Sequence, residues 1–199
     1  MMLGVALSLS LLFQQCAPEI SPVTLDAIVK TESSGNPFSV ANIDDRISRS
    51  FSDKASAVRY INTLSKEGKR FSAGLMQIYS GNFKALGLDN NTVFDACENI
   101  KAGAKILRQN YEKAKGDTEQ ERLDKAISMY YSGNEFRGLK KEAEYSNTSY
   151  VERVRNKAYK VPALKPQQER ESRSAIIDKP LTHSSKTNSW DLFGDFENE

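Results

Sequence analysis

Apolar residues recur every three or four positions in five segments of the chain, and this spacing predicts five helices. In the first segment, Leu25, Ile28 and Val29 share one helical face behind a Ser-Pro pair that is typical of a helix start. Glu32 falls one turn later on the same face. The other helices are predicted over residues 53–67, 95–116, 118–133 and 148–159.

Two stretches between the predicted helices lack a sustained helical period. Residues 38–52 contain β-branched residues together with Asn and Asp, which is typical of extended or loop structure. Residues 71–83 form an apolar stretch that is interrupted by glycines. The pattern therefore predicts a mainly helical domain with a small extended element.

The chain begins with an apolar, uncharged segment over residues 3–13. This segment is shorter than the roughly 20 residues of a transmembrane helix, but its length suits the apolar region of a signal peptide. We therefore predict an exported protein without a stable membrane span. No basic residue precedes the segment and no clear cleavage motif follows it, and the alternative is a helix buried at the start of the domain.

The composition changes near the C-terminus, where Ser, Gln, Glu, Lys, Arg and Pro predominate. This composition predicts a disordered polar tail over residues 161–199. Trp190 and Phe193 belong to a small aromatic patch near its end, which is either a chance occurrence or a short peptide that docks on a partner. The predicted organisation is a signal-like segment over 1–15, a domain over 16–160 and this tail.

Composition and charge exclude several kinds of chemistry. A formal net charge of +2 is too small to argue for a nucleic-acid partner. The single histidine, His183, lies in the predicted tail, so neither a Ser-His-Asp site nor a His-rich zinc site is expected in the domain. We expect no metal and no cofactor. Cys16 and Cys97 are either two thiols or one disulfide, and the predicted export favours the disulfide.

Glu32 is the most informative candidate for catalysis. Its position on an apolar helix face predicts partial burial, which raises the pKa of a carboxyl group as a general acid near neutral pH requires. The alternative is an exposed Glu at a frayed helix end. Periodicity alone favours that alternative, so the assignment depends on the motifs around Glu32.

Five short motifs follow one another along the predicted domain. They are IVKTESSGNP, GLMQI, NIKAGA, AISMYYSG and YVERV, at residues 28–37, 74–78, 99–104, 126–133 and 150–154. Their order and sequence resemble the signatures of the Slt-type lytic transglycosylases, in which the Glu of the first motif is the catalytic acid. The resemblance implies an α+β, predominantly α, lysozyme-like domain with a small extended or β element, followed here by the disordered C-terminal tail.

Three further features resemble the VirB1 branch of this family, the transglycosylases associated with type IV secretion systems. They are QQCAP at residues 14–18, an insert between Glu32 and Gly74 that carries its own helix, and YSGN at residues 131–134. The resemblance implies a periplasmic enzyme that acts on peptidoglycan glycan strands. It also implies partners among the secretion-system components, which the tail is expected to contact.

The resemblance also implies roles for individual residues. Protonated Glu32 donates its proton to the glycosidic oxygen between N-acetylmuramic acid and N-acetylglucosamine. The same carboxylate then takes the proton of the muramoyl C6 hydroxyl, which closes a 1,6-anhydro ring. The predicted substrate-binding residues are Ser33, Gln77, Tyr79, Tyr130 and Tyr131, and Ser33 is expected to steady the surroundings of the acid. For the tyrosines, simple core packing is the alternative.

Two other functions remain open at this point. A muramidase-type hydrolase needs a second carboxylate to activate water, and Asp44 or Asp45 in the insert could supply it. A peptidoglycan-binding assembly subunit that has kept the fold without its activity needs no catalytic acid. The intact Glu32 and Gln77 argue against this second alternative.

Overall fold

The computed structural model describes residues 8–158. Within this range the chain forms seven α-helices, and the five helices predicted from periodicity are all present. The seven helices are α1 (Leu9–Cys16), α2 (Pro22–Glu32), α3 (Lys54–Lys66), α4 (Phe83–Leu86), α5 (Ala96–Lys113), α6 (Glu119–Ser132) and α7 (Tyr150–Lys157). The predicted fold class, α+β and predominantly α, is confirmed.

The predicted extended element is a small antiparallel sheet. Its strands are β1 (Ser39–Asn42), β2 (Ile47–Ser50), β3 (Phe71–Ala73) and β4 (Ile78–Tyr79), and they lie in the order β2-β1-β3-β4. In the register, Val40 of β1 stands opposite Arg49 on one side and Ala73 on the other. The sheet therefore joins the insert after α2 to the glycine-rich stretch that follows α3.

Local sequence signals explain where several helices begin. The side chain of Asp95 accepts hydrogen bonds from the first turn of α5, and Thr118 accepts one from the backbone of Glu121 in α6. Helix α7 begins with a capping box, in which the side chains of Ser149 and Glu152 each accept a hydrogen bond from the backbone N–H of the other residue. Ser21 precedes α2 without a side-chain hydrogen bond, so Pro22 is the stronger start signal there.

The hydrophobic core lies where the helices pack around α5. Helix α5 contacts α1 and α6, while α2 packs against α7, so the first and last helices of the described chain both help to enclose the core. The fully buried large side chains include Phe13, Leu25, Ile28, Phe71, Met76, Ile100 and Leu107. The apolar face that periodicity assigned to α2 is therefore the face that is buried.

Helix α1 belongs to this core, although most of it was assigned to the predicted signal-like segment. Phe13 is fully buried, and a disulfide joins Cys16 at the end of α1 to Cys97 in the first turn of α5. Packing of the domain thus begins before residue 16. Residues 1–7 and the predicted tail lie outside the described residues, so the export and the tail stay predictions.

None of the helices between residues 8 and 158 combines the length and the hydropathy that crossing a bilayer requires.

Loss of the disulfide should lower the free energy of unfolding by about 4 kcal/mol, because the bridge closes a loop of 81 residues and restricts the unfolded chain. We expect this loss for the Cys16→Ala/Cys97→Ala double variant in urea denaturation under oxidising conditions. Dithiothreitol should reduce the wild type to the stability of the double variant and leave the variant unchanged. Equal stability of the two proteins without reductant would contradict the prediction.

Candidate active site

Glu32 is the last residue of α2, and its carboxyl group lies at the wall of a cleft. The residue is half-buried. The hydroxyl of Tyr150 donates a hydrogen bond to Oε1 of Glu32. No other hydrogen bond to this carboxyl group is made by the residues that the structure describes, so Oε2 remains for a ligand in the cleft.

Burial raises the pKa of Glu32 from an ordinary value of 4.5 to about 7. The hydrogen bond from Tyr150 and the positive charge of Arg153 act in the opposite direction and limit this rise. The carboxyl group therefore keeps its proton in a large fraction of molecules near neutral pH. A group with this pKa can both donate and accept a proton there.

A turn over residues 74–77 carries Gln77 of the cleft, and side chains from α5 and α6 hold this turn. Oδ1 of Asn99 in α5 accepts from the backbone N–H of Met76 at 2.7 Å, and Nδ2 of Asn99 donates to the Ala73 carbonyl at 3.1 Å. The hydroxyl of Tyr130 in α6 donates to the Met76 carbonyl at 2.7 Å. The position of the turn is thus fixed relative to both helices.

Ser33 holds the same turn from the end of α2. Its hydroxyl lies 2.8 Å from the carbonyl oxygen of Leu75 and donates to it, and the residue is buried. Ser33 is not among the residues that line the cleft. The hydroxyl of Ser33 therefore fixes the end of α2, which carries Glu32, relative to the turn.

Gly74 and Gln77 of the GLMQI motif both have a positive backbone φ angle. Gly74 has a φ of +86°, and a Cβ at this position would lie 2.0 Å from Nδ2 of Asn99, so no other residue fits. Gln77 has a φ of 47°, which is uncommon for a residue with a side chain. The side chain of Gln77 holds this conformation through its hydrogen bonds.

Both amide hydrogens of Gln77 are used within the protein. Nε2 donates to the carbonyl oxygens of Ser39 and Gly74, at 3.0 and 2.9 Å, and these two acceptors fix which amide atom is the nitrogen. Gln77 lines the cleft. Its amide oxygen has no partner among the described residues, so Gln77 can accept a hydrogen bond from a ligand but cannot donate one.

The predicted tyrosines lie together at the cleft but differ in exposure. Tyr130 is partly buried, while Tyr79 and Tyr131 are 37% and 38% exposed. The ring of Tyr131 stacks on that of Tyr150, with centroids 4.5 Å apart, and its hydroxyl donates to Glu142 at 2.8 Å. Tyr79 and Tyr131 therefore offer aromatic surface to a ligand, whereas the hydroxyl of Tyr130 is occupied by the turn.

The cleft has a volume of about 760 Å³ and brings together residues from the sheet, α5 and α6. Its polar and aromatic lining consists of Glu32, Ser72, Gln77, Tyr79, Asn82, Asn110, Tyr130, Tyr131, Ser132 and Arg137. Within the part of the chain that the structure describes, Glu32 is the only carboxylate in this lining. Amide and hydroxyl groups beside aromatic rings suit a neutral polar ligand such as a saccharide.

The two aspartates proposed as a second acid lie outside the cleft lining. Asp44 accepts from the backbone N–H of Arg70 at 2.7 Å and from its Nε at 2.8 Å, and these hydrogen bonds hold the pKa of Asp44 below its ordinary value. Asp45 accepts from Lys69 at 2.6 Å. Both carboxylates are therefore engaged in fixing the loop between β1 and β2.

The sequence patterns assign no site role to four residues near the cleft, which are Asn99, Glu142, Tyr150 and Arg153. Tyr150 lies 118 positions from Glu32, so no local pattern connects them. Arg153 pairs with Glu142 at 2.8 Å and lies 3.8 Å from the ring centre of Tyr145. The available signals were the motifs at residues 99–104 and 150–154, which marked Asn99 and Tyr150 without indicating what they contact.

Comparison with known proteins gives consistent matches. Residues 11–151 match the family model described as "Transglycosylase SLT domain". The chain is 36% identical over 146 residues to "Type IV secretion system protein virB1" of Brucella abortus, a match that covers 72% of this chain and 60% of that protein. It is 32% identical over 189 residues to "Protein virB1" of Rhizobium radiobacter, covering 92% and 71% respectively. No solved structure gives a significant match.

The Glu32→Gln variant should become more stable than the wild type as the pH rises. Between pH 4.5 and about 7 the folded wild type binds a proton that the unfolded chain has lost, so its free energy of unfolding falls as pH rises through this range. The Gln variant lacks this dependence. We expect the difference between the two proteins to grow by about 3 kcal/mol from pH 4.5 to pH 8 in urea denaturation.

The Glu152→Gln variant is a control whose stability relative to the wild type should change with pH in the opposite direction. Hydrogen bonds from Ser149 hold the pKa of Glu152 below its ordinary value, so its stabilising effect is present above pH 4.5 and is lost in acid. This variant should be less stable than the wild type at neutral pH, and the difference should shrink in acid. A Glu32→Gln difference that stays constant with pH would show that Glu32 is not desolvated.

Proposed function

Because the chain belongs to the transglycosylase SLT family and to its VirB1-like group, we propose that it is a lytic transglycosylase that cleaves peptidoglycan glycan strands. The proposed bond is the β-1,4 linkage between N-acetylmuramic acid and N-acetylglucosamine, and the proposed product ends in a 1,6-anhydromuramoyl ring. The chain spans about 60% of the length of the Brucella relatives. Activity, substrate and partners are therefore proposed from the residues of this chain's own cleft.

The observation that carries the proposal is that Glu32 is the one carboxyl group among the described residues that line the cleft. The rest of this lining consists of apolar, neutral polar and aromatic side chains and Arg137. Glu32, with a pKa of about 7, meets the need for a general acid at neutral pH. Glycosidases that use water generally need two carboxylates. A reaction in which the substrate supplies its own nucleophile needs one.

The mechanism follows from the two oxygens of Glu32. Tyr150 holds Oε1, so Oε2 presents the proton to the glycosidic oxygen of a bound strand. Breaking the C1–O bond leaves positive charge at C1 and a negative carboxylate beside it. Oε2 then removes the proton from the muramoyl C6 hydroxyl, whose oxygen bonds to C1. One side chain thus serves as acid and then as base.

The surrounding side chains have distinct proposed roles. The amide oxygen of Gln77 accepts a hydrogen bond from a sugar hydroxyl or from the N–H of an acetamido group. Tyr79 and Tyr131 contact the sugar rings with their exposed aromatic faces. Tyr130 and Ser33 act indirectly by fixing the turn that carries Gln77.

A muramidase-type hydrolase is less well supported. Asp44 and Asp45 are held by Arg70 and Lys69 outside the cleft lining, and freeing either carboxylate would break these ion pairs. A non-catalytic assembly subunit has no need of a carboxyl group kept protonated by burial. Since taking a carboxyl group out of water is costly, the site favours a catalytic use of Glu32.

The proposed location is the periplasm, where the substrate lies and where a disulfide persists. The Brucella relative is named as a type IV secretion system protein, and we propose that this chain likewise acts with such a system by opening the wall locally. The predicted tail over residues 161–199 is the proposed contact with secretion-system components. We propose no nucleic-acid partner.

Mass spectrometry of the products tests the proposed reaction. Purified cell wall treated with the wild type should release muropeptides that carry 1,6-anhydro ends, and Glu32→Gln should reduce this release by a factor of about 10³ or more while retaining the fold. Products with reducing ends would indicate the hydrolase. Equal release by both proteins would exclude Glu32 as the catalytic acid, and no release by either would support the assembly subunit.

Tyr150→Phe tests how Glu32 is held. Removing the hydroxyl removes a hydrogen bond that lowers the pKa of Glu32, so this pKa should rise above about 7. Activity depends on the protonated acid and is lost as pH rises through that pKa. The alkaline limb of the pH–rate profile should therefore move to higher pH, with a roughly tenfold lower maximal rate.

Tyr60→Phe provides the control, because it deletes the same atom from a residue outside the cleft lining. Its pH–rate profile should match that of the wild type. A Tyr150→Phe profile with an unmoved alkaline limb would contradict the proposed hydrogen bond to the acid.

A further inference from the structure

Glu142 lies in the segment that joins α6 to α7, and its two carboxylate oxygens bind different partners. Oε1 accepts a hydrogen bond from the hydroxyl of Tyr131 in α6 at 2.8 Å. Oε2 accepts one from Nη1 of Arg153 in α7, also at 2.8 Å. Glu142 therefore joins a residue of the cleft lining to a residue whose charge acts on Glu32.

The two side chains that Glu142 binds also contact the ring of Tyr150. The ring of Tyr131 stacks on it, with an angle of 11° between the planes. The guanidinium carbon of Arg153 lies 5.6 Å from the centre of the same ring. Because Glu142 holds both neighbours, it restrains the ring whose hydroxyl donates to Glu32.

The ion pair between Glu142 and Arg153 is partly shielded from water. Their side chains are 25% and 19% exposed, so salt screens the pair less than it screens a surface pair. Burial raises the pKa of Glu142, but hydrogen bonds from Tyr131 and Arg153 and the charges of Arg153 and Arg137 hold it below its ordinary value. Glu142 is therefore a carboxylate at neutral pH.

The charged and titratable groups around the two carboxyl groups come from α6, α7 and the segment between them. Helix α1, which also packs against α2, contains no acidic or basic residue. On α2 itself, Asp26 and Lys30 pair with each other. The groups that belong to the network of Glu32 and Glu142 are Tyr130, Tyr131, Arg137, Tyr145, Tyr150 and Arg153.

We propose that Glu142 and Arg153 are a positioning pair for the acid: Arg153 brings a positive charge towards Glu32, and Glu142 offsets that charge while it holds both neighbours of the Tyr150 ring. This inference rests on the proposed function, because it concerns the acid that the proposed reaction needs. Neither residue of the pair lines the cleft, so each acts on Glu32 through its charge or through Tyr150.

The test follows the titration of the Glu32 carboxyl carbon by nuclear magnetic resonance in the full-length protein, with Glu32→Gln identifying the signal. Glu142→Gln removes a negative charge and keeps the shape of the side chain. The titration midpoint of Glu32 should then fall by about half a pH unit, because the charge of Arg153 is no longer offset. Arg153→Gln should raise the midpoint by a similar amount.

The pH dependence of kcat/KM on purified cell wall gives a second readout. Its alkaline limb should move to lower pH for Glu142→Gln and to higher pH for Arg153→Gln, because this limb reports the pKa of the acid in the free enzyme. Arg153→Lys keeps the positive charge, so its titration and its pH–rate profile should stay close to those of the wild type.

Asp124 and Arg155 provide matched controls. They form another ion pair between α6 and α7, and neither residue lines the cleft. Asp124→Asn and Arg155→Gln remove the same charges from the same part of the fold. Both variants should leave the titration of Glu32 and the alkaline limb where they are in the wild type.

The direction of the shifts separates a charge effect from a merely structural one. If the pair only supported Tyr150, losing either partner would weaken the hydrogen bond that lowers the pKa of Glu32, and both midpoints would rise. A rise in Glu142→Gln, or no shift, therefore overturns the inference, even if Arg153→Gln fails to fold. Opposite shifts in a wild-type background that releases no product would overturn the proposed function and leave the charge arrangement standing.

Discussion

The hydrogen-bonded turn over residues 74–77 is the constraint on which the site depends. Three buried or partly buried side chains, Ser33, Asn99 and Tyr130, bind its backbone from α2, α5 and α6. In a region of low dielectric, such hydrogen bonds are costly to leave unmade, so the turn and the helices can only move together. The acid at the end of α2 and the amide of Gln77 are thereby kept in a constant relation.

The electrostatics of Glu32 result from opposing effects, of which burial is the largest. Burial alone favours the neutral acid, while the Tyr150 hydroxyl and the charge of Arg153 favour the carboxylate. Arg153 is itself held by Glu142, which also accepts from Tyr131, the ring that stacks on Tyr150. The aromatic pair and the ion pair therefore keep the hydrogen-bond donor to Glu32 in position.

Much of the fold could be predicted from the sequence because helical periodicity is a local property. The apolar face of α2 and the place of Glu32 on it followed from spacing alone, and so did the limits of α3, α5 and α6 to within a few residues.

What Ser33 and Gln77 contact could not be predicted. Their groups bind backbone atoms far away in sequence, and no local pattern indicates such partners. The use of the apolar segment before residue 16 could not be decided from the sequence, since such a segment suits a leader and a core helix equally well.

The disulfide has a consequence for when the site can assemble. Cys97 lies two residues before Asn99 in the first turn of α5, so the covalent tether to α1 and the anchor of the turn share one short stretch of helix. Before oxidation, this stretch is held by packing and hydrogen bonds alone. The ordering of the site is in this way coupled to the redox state of its surroundings. Its most stable form belongs to an oxidising compartment, which is also where the proposed wall substrate lies.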